Sequence, residues 1–180
     1  MCGINGIISK NQNLELSEIL RMNKVIEHRG PDDFGIIQFN NTILGHVRLS
    51  IQDLSLKGRQ PMSRDGNEWI IYNGEIYNFR EIRNELENKG YKFFSKTDTE
   101  VILAAFNHWG EKCLNKFNGM WVFALLDKKK KKIKICRDRY GVKPCYYLNN
   151  SESITAAPAL ICILQIEMLA DNEAVFISIR

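Results

Sequence analysis

The chain is 180 residues long, 44% apolar and 26% charged, which fits one globular domain and excludes a disordered or collagen-like polymer. Lysine and arginine number 25 against 21 acidic residues, but five of the lysines form one run, Lys128–Lys132; without that run the balance is 20 to 21. The net charge of +4 is therefore local, not a basic stripe that would track a nucleic-acid backbone.

In chain order, Cys2–Ile8 reads as a short apolar strand. Leu16, Ile19, Leu20 and Asn23, with Met22 and Ile26, predict an amphipathic helix over 16–27 that Arg29-Gly30-Pro31-Asp32-Asp33 ends. Strands follow at Phe34–Phe39 and Thr42–Val47 around the turn pair Asn40-Asn41, and another runs over Glu68–Tyr72 into Asn73-Gly74. Phe79, Ile82 and Leu86 mark a helix stopped by Gly90. Thr97-Asp98-Thr99-Glu100 has the S/T-x-x-E capping pattern, and Ile102, Ala105, Phe106 and Trp109 continue it at helical spacing. Trp121–Leu126 is continuously apolar, as a strand covered on both faces would be. The lysine run reads as a solvated hairpin turn before Ile133 and Ile135, and Cys145–Leu148 and Ile154–Ala157 predict two more strands. Hairpin-linked strands at both ends, with helices early and in the middle, predict antiparallel sheets covered by helices.

Several chemistries lack a handle. The cysteines at 2, 113, 136, 145 and 162 are odd in number and show no CxxC or zinc-finger spacing, which fits reduced thiols and a cytoplasmic setting. MCGINGIISK has neither the early positive charge nor the apolar core of a secretory signal. The most apolar stretch, 154–170, is broken by Pro158, Gln165 and Glu167, too polar to span a bilayer. There is no G-x-x-x-x-G-K-[ST], G-x-G-x-x-G or H-E-x-x-H.

Cys2 is the candidate nucleophile. Removal of Met1 ahead of a small second residue would leave a thiol and a free α-amine on one residue. Their reference pKa values, about 8.5 and about 7.7–8.0, are close enough for the amine to take the thiol proton and later return it to a leaving group. Standing alone, Cys2 is equally a small buried residue of the first strand.

The ordered set M-C-G-I-x-G-I, H-R-G-P-D-D, G-H-V-R-L-S, Q-P-M, Y-N-G-E-I-Y-N-F, T-D-T-E-V-I-L, N-G-M-W-V-F-A-L-L-D and R-D-R-Y-G-V-K-P resembles the glutaminase domain of asparagine synthetase. That domain is a class II glutamine amidotransferase of the N-terminal-nucleophile hydrolase type. The resemblance covers about residues 2–150. Sugar-phosphate amidotransferases of the class usually carry R-G-Y-D-S where this chain has Arg29-Gly30-Pro31-Asp32-Asp33, so the asparagine-synthetase branch matches better.

The resemblance implies an α/β (α+β) four-layer αββα sandwich of two mostly antiparallel sheets. It makes Cys2 the nucleophile and Asn73 and Gly74 the oxyanion hole, where two N–H groups meet the developing negative oxygen. Gly74 suits that role because a missing β-carbon admits the substrate to the backbone; an isolated Asn-Gly would equally be a hairpin turn. Arg48 resembles the ligand of the glutamine α-carboxylate, and Leu49, Ser50, Ile51 and Gln52 line the same pocket. Asp98 and Glu75 look like partners of the α-ammonium, although an acid such as Asp98 also belongs in the first turn of a helix. His28 reads as loop-organising, Arg29 and Asp32 as braces of the same loop, and Arg137-Asp138-Arg139 as an internal ion-pair network.

What this implies is hydrolysis of L-glutamine to glutamate and ammonia, the ammonia-supplying half of asparagine synthesis, with no cofactor for that half-reaction. ATP and magnesium belong to a synthetase domain whose S-G-G-x-D-S loop does not occur in these 180 residues. Expected partners are L-glutamine, a synthetase chain in trans and a second copy of the chain, with neither nucleic acid nor membrane. Residues 2–164 would form the glutaminase domain. Residues 165–180 match nothing in the family pattern, and the Ser-Glu pair and lysine usual near 155–164 are absent. A glutaminase serving another acceptor, or a degraded domain that only binds a partner, stay open as alternatives.

Overall fold

Alternation along a strand sends successive side chains to opposite faces, so a strand that is apolar throughout must be covered twice. The computed structural model, which describes residues 1–10, 14–149 and 151–157 and the backbone of Ile177–Ser178, meets that requirement with two stacked sheets. The elements are β1 (Gly3–Ser9), α1 (Leu16–Val25), β2 (Asp33–Phe39), β3 (Thr42–Arg48), β4 (Met62–Ser63), β5 (Glu68–Ile76), α2 (Phe79–Glu87) and α3 (Asp98–Trp109). They continue with β6 (Gly119–Asp127), β7 (Lys132–Arg137), β8 (Tyr146–Asn149), β9 (Ser153–Ala157) and β10 (Ile177–Ser178).

The first sheet has the order β2-β3-β1-β9-β8 and is antiparallel throughout. The second runs β10-β7-β6-β5-β4, antiparallel except where β10 lies parallel to β7. Between them sit Ile4 and Leu44 from the first sheet and Ile71, Val122, Ala124, Leu126 and Ile135 from the second. The neighbouring residues in each strand face the other way. Ile7, Ile43 and Val47 meet Ile19, Met22 and Ile26 of the α1 segment, while Tyr72, Ile76, Trp121, Phe123 and Leu125 meet Ile82, Leu86, Ile102 and Phe106 of α2 and α3. The result is helix, sheet, sheet, helix: the αββα sandwich the resemblance implies.

Three local features differ from the sequence reading. The α1 helix stops at Val25, and Glu27–Arg29 continue it as a tighter 3-10 turn. Asn73-Gly74 is no turn: β5 runs straight through both residues to Ile76, each paired with β6. The capping pattern forms by half. Thr97 Oγ1 accepts from the Glu100 N–H at 3.3 Å, but the buried Glu100 carboxylate turns to Arg64 and to the N–H groups of Phe94 and Ser95. A buried charge needs that many partners.

The lysine run is the β6–β7 hairpin, where Asp127 accepts from the Lys130 N–H at 2.9 Å and Lys131 takes a positive φ of 51°. Cys2, Cys113, Cys136 and Cys145 are free thiols; Cys162 and nearly all of the 165–180 tail lie outside the described residues. No helix is long and apolar enough to cross a membrane among the described residues.

Phe123 is fully buried at the centre of β6, edge-on to Phe106. Phe123→Ala should lower unfolding free energy by about 3–5 kcal/mol, whereas the exposed hairpin change Lys129→Ala should stay within about 0.5 kcal/mol. Urea denaturation of the two variants measures both.

Candidate active site

Cys2 precedes β1, the central strand of its sheet, and shares the alternation of Ile4, so it points between the sheets. Arg48 at the end of β3 has the alternation of Leu44, and Asn73 in β5 that of Ile71. The same end of the sandwich therefore gathers a thiol, a guanidinium and an amide from three strands of two sheets. They border one cleft with Leu49, Ile51, Gln52, Gly74, Glu75 and Asp98. Ser50 is the exception among the expected residues. Its N–H donates to Asp32 Oδ2 at 2.7 Å and it stays out of the cleft wall.

The Cys2 sulfur lies 3.4 Å from the Leu49 N–H, which donates to it, and 3.6 Å from the Leu49 carbonyl. Burial pushes its thiol pKa up, against the opposing pull of that N–H and of the Arg48 charge. Arg29 Nε donates to the Cys2 carbonyl at 3.3 Å and Asp32 accepts from the Ser50 N–H, so the two residues brace two different segments beside the thiol rather than one loop. His28 is exposed and outside the cleft.

Arg48 is 7% exposed and already oriented. Its guanidinium donates to the carbonyls of Ser55, at 3.1 Å, and of Asp53. Asp53 in turn holds its own loop, accepting from the Ser55 N–H and hydroxyl and from the Lys96 N–H, which lowers its pKa to about 2. A β-carbon on Gly58 would fall 2.3 Å from an Arg48 terminal nitrogen, so that glycine makes room for the guanidinium.

Asn73 is 2% exposed, and its side-chain Nδ2 has no hydrogen-bond partner. An unpaired buried amide donor is costly, and this one borders the cleft that Cys2 borders. Gly74 is explained differently from the sequence reading. A β-carbon there would lie 2.4 Å from the Met120 carbonyl and 2.6 Å from Trp121 Cα. The neighbouring strand β6 by itself demands glycine at this position.

Gln52 ties the acids together, donating to Glu75 Oε1 at 2.6 Å and accepting from the Asp98 N–H at 3.1 Å. Asp98 Oδ2 accepts from the Tyr72 hydroxyl at 2.7 Å and from the Ile76 N–H at 3.0 Å. It therefore pins β5 to the start of α3 while also lining the cleft. Burial pushes its pKa up to about 6. Behind it, the fully buried His46 bonds the Tyr72 carbonyl through Nε2 at 3.1 Å, and burial lowers its pKa to about 4.

Sequence reasoning passed over Gln60, Tyr72 and Lys143. Gln60 accepts from the Tyr72 N–H at 2.6 Å and donates to Thr99 Oγ1 at 3.2 Å. Tyr72 and Lys143 stood inside quoted motifs, but nothing in their spacing marked them as buried. Arg137-Asp138-Arg139 forms no internal ion pair. Arg137 donates to the carbonyls of Lys143 and Gly141, and Asp138 accepts from the N–H groups of Trp121, Tyr140, Val142 and Lys143. Its charges organise backbone. Among the described residues no group of three or more His, Cys, Asp or Glu side chains could hold a metal ion.

The facing sheets, with Cys2 at the start of a central strand, define a fold of the N-terminal-nucleophile hydrolase type. Residues 1–176 match the glutamine amidotransferase domain family, and the chain belongs to that family. It is 39% identical to glutamine-hydrolysing asparagine synthetase 1 of Bacillus subtilis (strain 168), over 97% of this chain and 28% of that protein. It is also 39% identical to asparagine synthetase B of Escherichia coli (strain K12), over 81% of this chain and 26% of that protein. The chain thus spans roughly a quarter of the length of each. The solved structure of glutamine phosphoribosylpyrophosphate amidotransferase from B. subtilis has the same fold, with a TM-score of 0.78 at 19% identity, covering 90% of this chain and 43% of that one.

Two buried groups in the site make opposed pH contributions to stability. His46 titrates near 4 when folded against 6.5 ordinarily, so its contribution is complete above pH 6.5 and is lost as pH falls towards 4. Asp98 titrates near 6 against 3.8, so its contribution is complete below 3.8 and is lost as pH rises through 6. Each amounts to roughly 3 kcal/mol at one unit per 1.36 kcal/mol, and between pH 4 and 6 they offset. From pH 7 to 4.5, Asp98→Asn should therefore lose stability more steeply than the parent, whereas His46→Gln should gain stability relative to the parent, in urea titrations at both pH values.

Proposed function

We propose that this chain hydrolyses L-glutamine to glutamate and ammonia through a γ-glutamyl thioester on Cys2, and that the ammonia serves asparagine synthesis. The observation that supports this most is the buried, unpartnered side-chain Nδ2 of Asn73, a residue that lines the cleft lined by Cys2. An oxyanion forming there would supply the missing acceptor.

With Met1 removed, the Cys2 α-amine takes the thiol proton as sulfur attacks the side-chain carbonyl carbon of glutamine. Asn73 Nδ2–H and the Gly74 N–H stabilise the resulting oxyanion. The intermediate collapses with cleavage of the C–N bond, and the amine returns its proton to the departing ammonia. Water, deprotonated by the same amine, then attacks the thioester and frees glutamate and the thiol. Chain, glutamine and water supply every group in this sequence.

Arg48 pairs with the α-carboxylate through donors left over from the Asp53 and Ser55 carbonyls, a preorganised fork. Asp98 and Glu75 take the α-ammonium, held apart at a fixed spacing by Gln52. The ammonia passes to a synthetase segment or partner chain that activates aspartate, and the setting is cytoplasmic.

Ammonia release from L-glutamine, measured with and without a candidate synthetase chain, tests the reading. Cys2→Ala should abolish release. Asn73→Ala should chiefly lower kcat, by about 10²–10³, and Arg48→Ala should chiefly raise KM. Identical effects of the last two changes would show that anchoring and oxyanion stabilisation are not divided as stated.

A further inference from the structure

Lys143 is an unusual residue for its place. It is 4% exposed, yet no carboxylate among the described residues lies within ion-pair distance of its ammonium. Buried lysines are rare unless paired. The backbone around it is firmly held: its N–H donates to Asp138 Oδ2 at 3.0 Å, and its carbonyl accepts from Arg137 Nε at 2.6 Å. Those bonds aim the side chain into the cleft that Cys2, Asn73 and Asp98 border. There Nζ finds the sulfur of Met1, 2.9 Å away. A thioether is a weak acceptor for an ammonium, and it belongs to the residue that processing would remove.

We propose that Lys143 is a positioning residue for the nucleophile: once Met1 is gone, its ammonium faces the new terminus and keeps the Cys2 α-amine unprotonated and able to accept the thiol proton. This rests on the reading of Cys2 as a processed terminal nucleophile. The physical need is plain. The half-buried Cys2 thiol is reluctant to ionise, and an amine that stayed protonated could not help it. A nearby positive charge disfavours the ammonium and favours the thiolate, so it moves both groups towards their reactive forms. A carboxylate in the same place would do the reverse.

Other charges face the pair. Arg29 approaches Lys143 and Cys2 from the turn after α1, Arg48 approaches Cys2 from β3, Glu75 faces Lys143 from β5, Asp138 lies beneath it, and Asp98 faces Cys2 from α3. Arg29 and Arg48 already spend donors on backbone carbonyls. Lys143 alone of the three cations loses its hydrogen-bond acceptor when Met1 leaves, so its ammonium is the one freed for the terminus.

The test is the pH dependence of Cys2 alkylation by iodoacetamide in processed protein, its start at Cys2 confirmed by intact mass. Parent, Lys143→Met and Lys143→Arg are compared, with Lys143→Gln as a second neutral variant should the methionine disturb folding. The neutral variants should shift the acid limb up by about one pH unit, making labelling roughly tenfold slower at pH 6.5, with the difference closing only at pH values where Cys2 is fully ionised. Lys143→Arg should follow the parent. An equal slowing at every pH, an unmoved profile, or an arginine variant that behaves like the neutral ones would overturn the proposal. Shifted labelling without any glutamine hydrolysis would instead sink the glutaminase reading and leave the Lys143 placement standing; retained Met1 would sink both.

Discussion

The site exists because two apolar sheet faces close on each other at one register. Ile4 and Leu44 meet Ile71, Val122 and Ala124, and that contact decides how the Cys2 thiol stands relative to the Asn73 amide. Neither residue could be placed by its own strand alone. A shift of one residue in the pairing of β1 with β3, or of β5 with β6, would turn Cys2 or Asn73 towards the helices. The hydrophobic contact, at roughly 25 cal/mol per Å² buried, is thus also the device that aligns the chemistry.

Beneath the cleft lies a chain of polar groups that an apolar core alone would not hold. His46 reaches across from β3 to the Tyr72 carbonyl, Tyr72 reaches Asp98, and Gln52 joins Asp98 to Glu75. Buried polar groups are tolerable when each finds a partner, and almost every bond in this chain is made. Asn73 Nδ2 differs from the other unpartnered buried atoms, such as Asn5 Oδ1 and Asn23 Nδ2, which pack beneath α1 away from the cleft. Asn73 lines the cleft that Cys2 lines.

Much of this was legible in the amino-acid order. The continuous apolar run Trp121–Leu126 announced a strand covered on both faces, and Trp121, Phe123 and Leu125 do face the helices while Val122, Ala124 and Leu126 face the other sheet. The helix behind Thr97 was equally plain. As an isolated pair Asn73-Gly74 suggests a turn, and that local preference is overridden by the partner strand, whose Met120 carbonyl leaves no room for a side chain at position 74. Glu100 misled in the same way: a capping carboxylate was expected to bond locally and was drawn instead to Arg64 and the 94–95 backbone. Lys143 was invisible because burial of a single lysine leaves no periodic trace.

The account turns on a sulfur at the polypeptide start acting as the acylated atom. The most direct measurement is acid quenching of the protein during turnover with L-glutamine, followed by mass spectrometry of its peptides. A γ-glutamyl adduct on a peptide that begins with Cys2, released by hydroxylamine, is the predicted result. Turnover with no adduct on that peptide, or with Met1 still attached to it, would contradict the account.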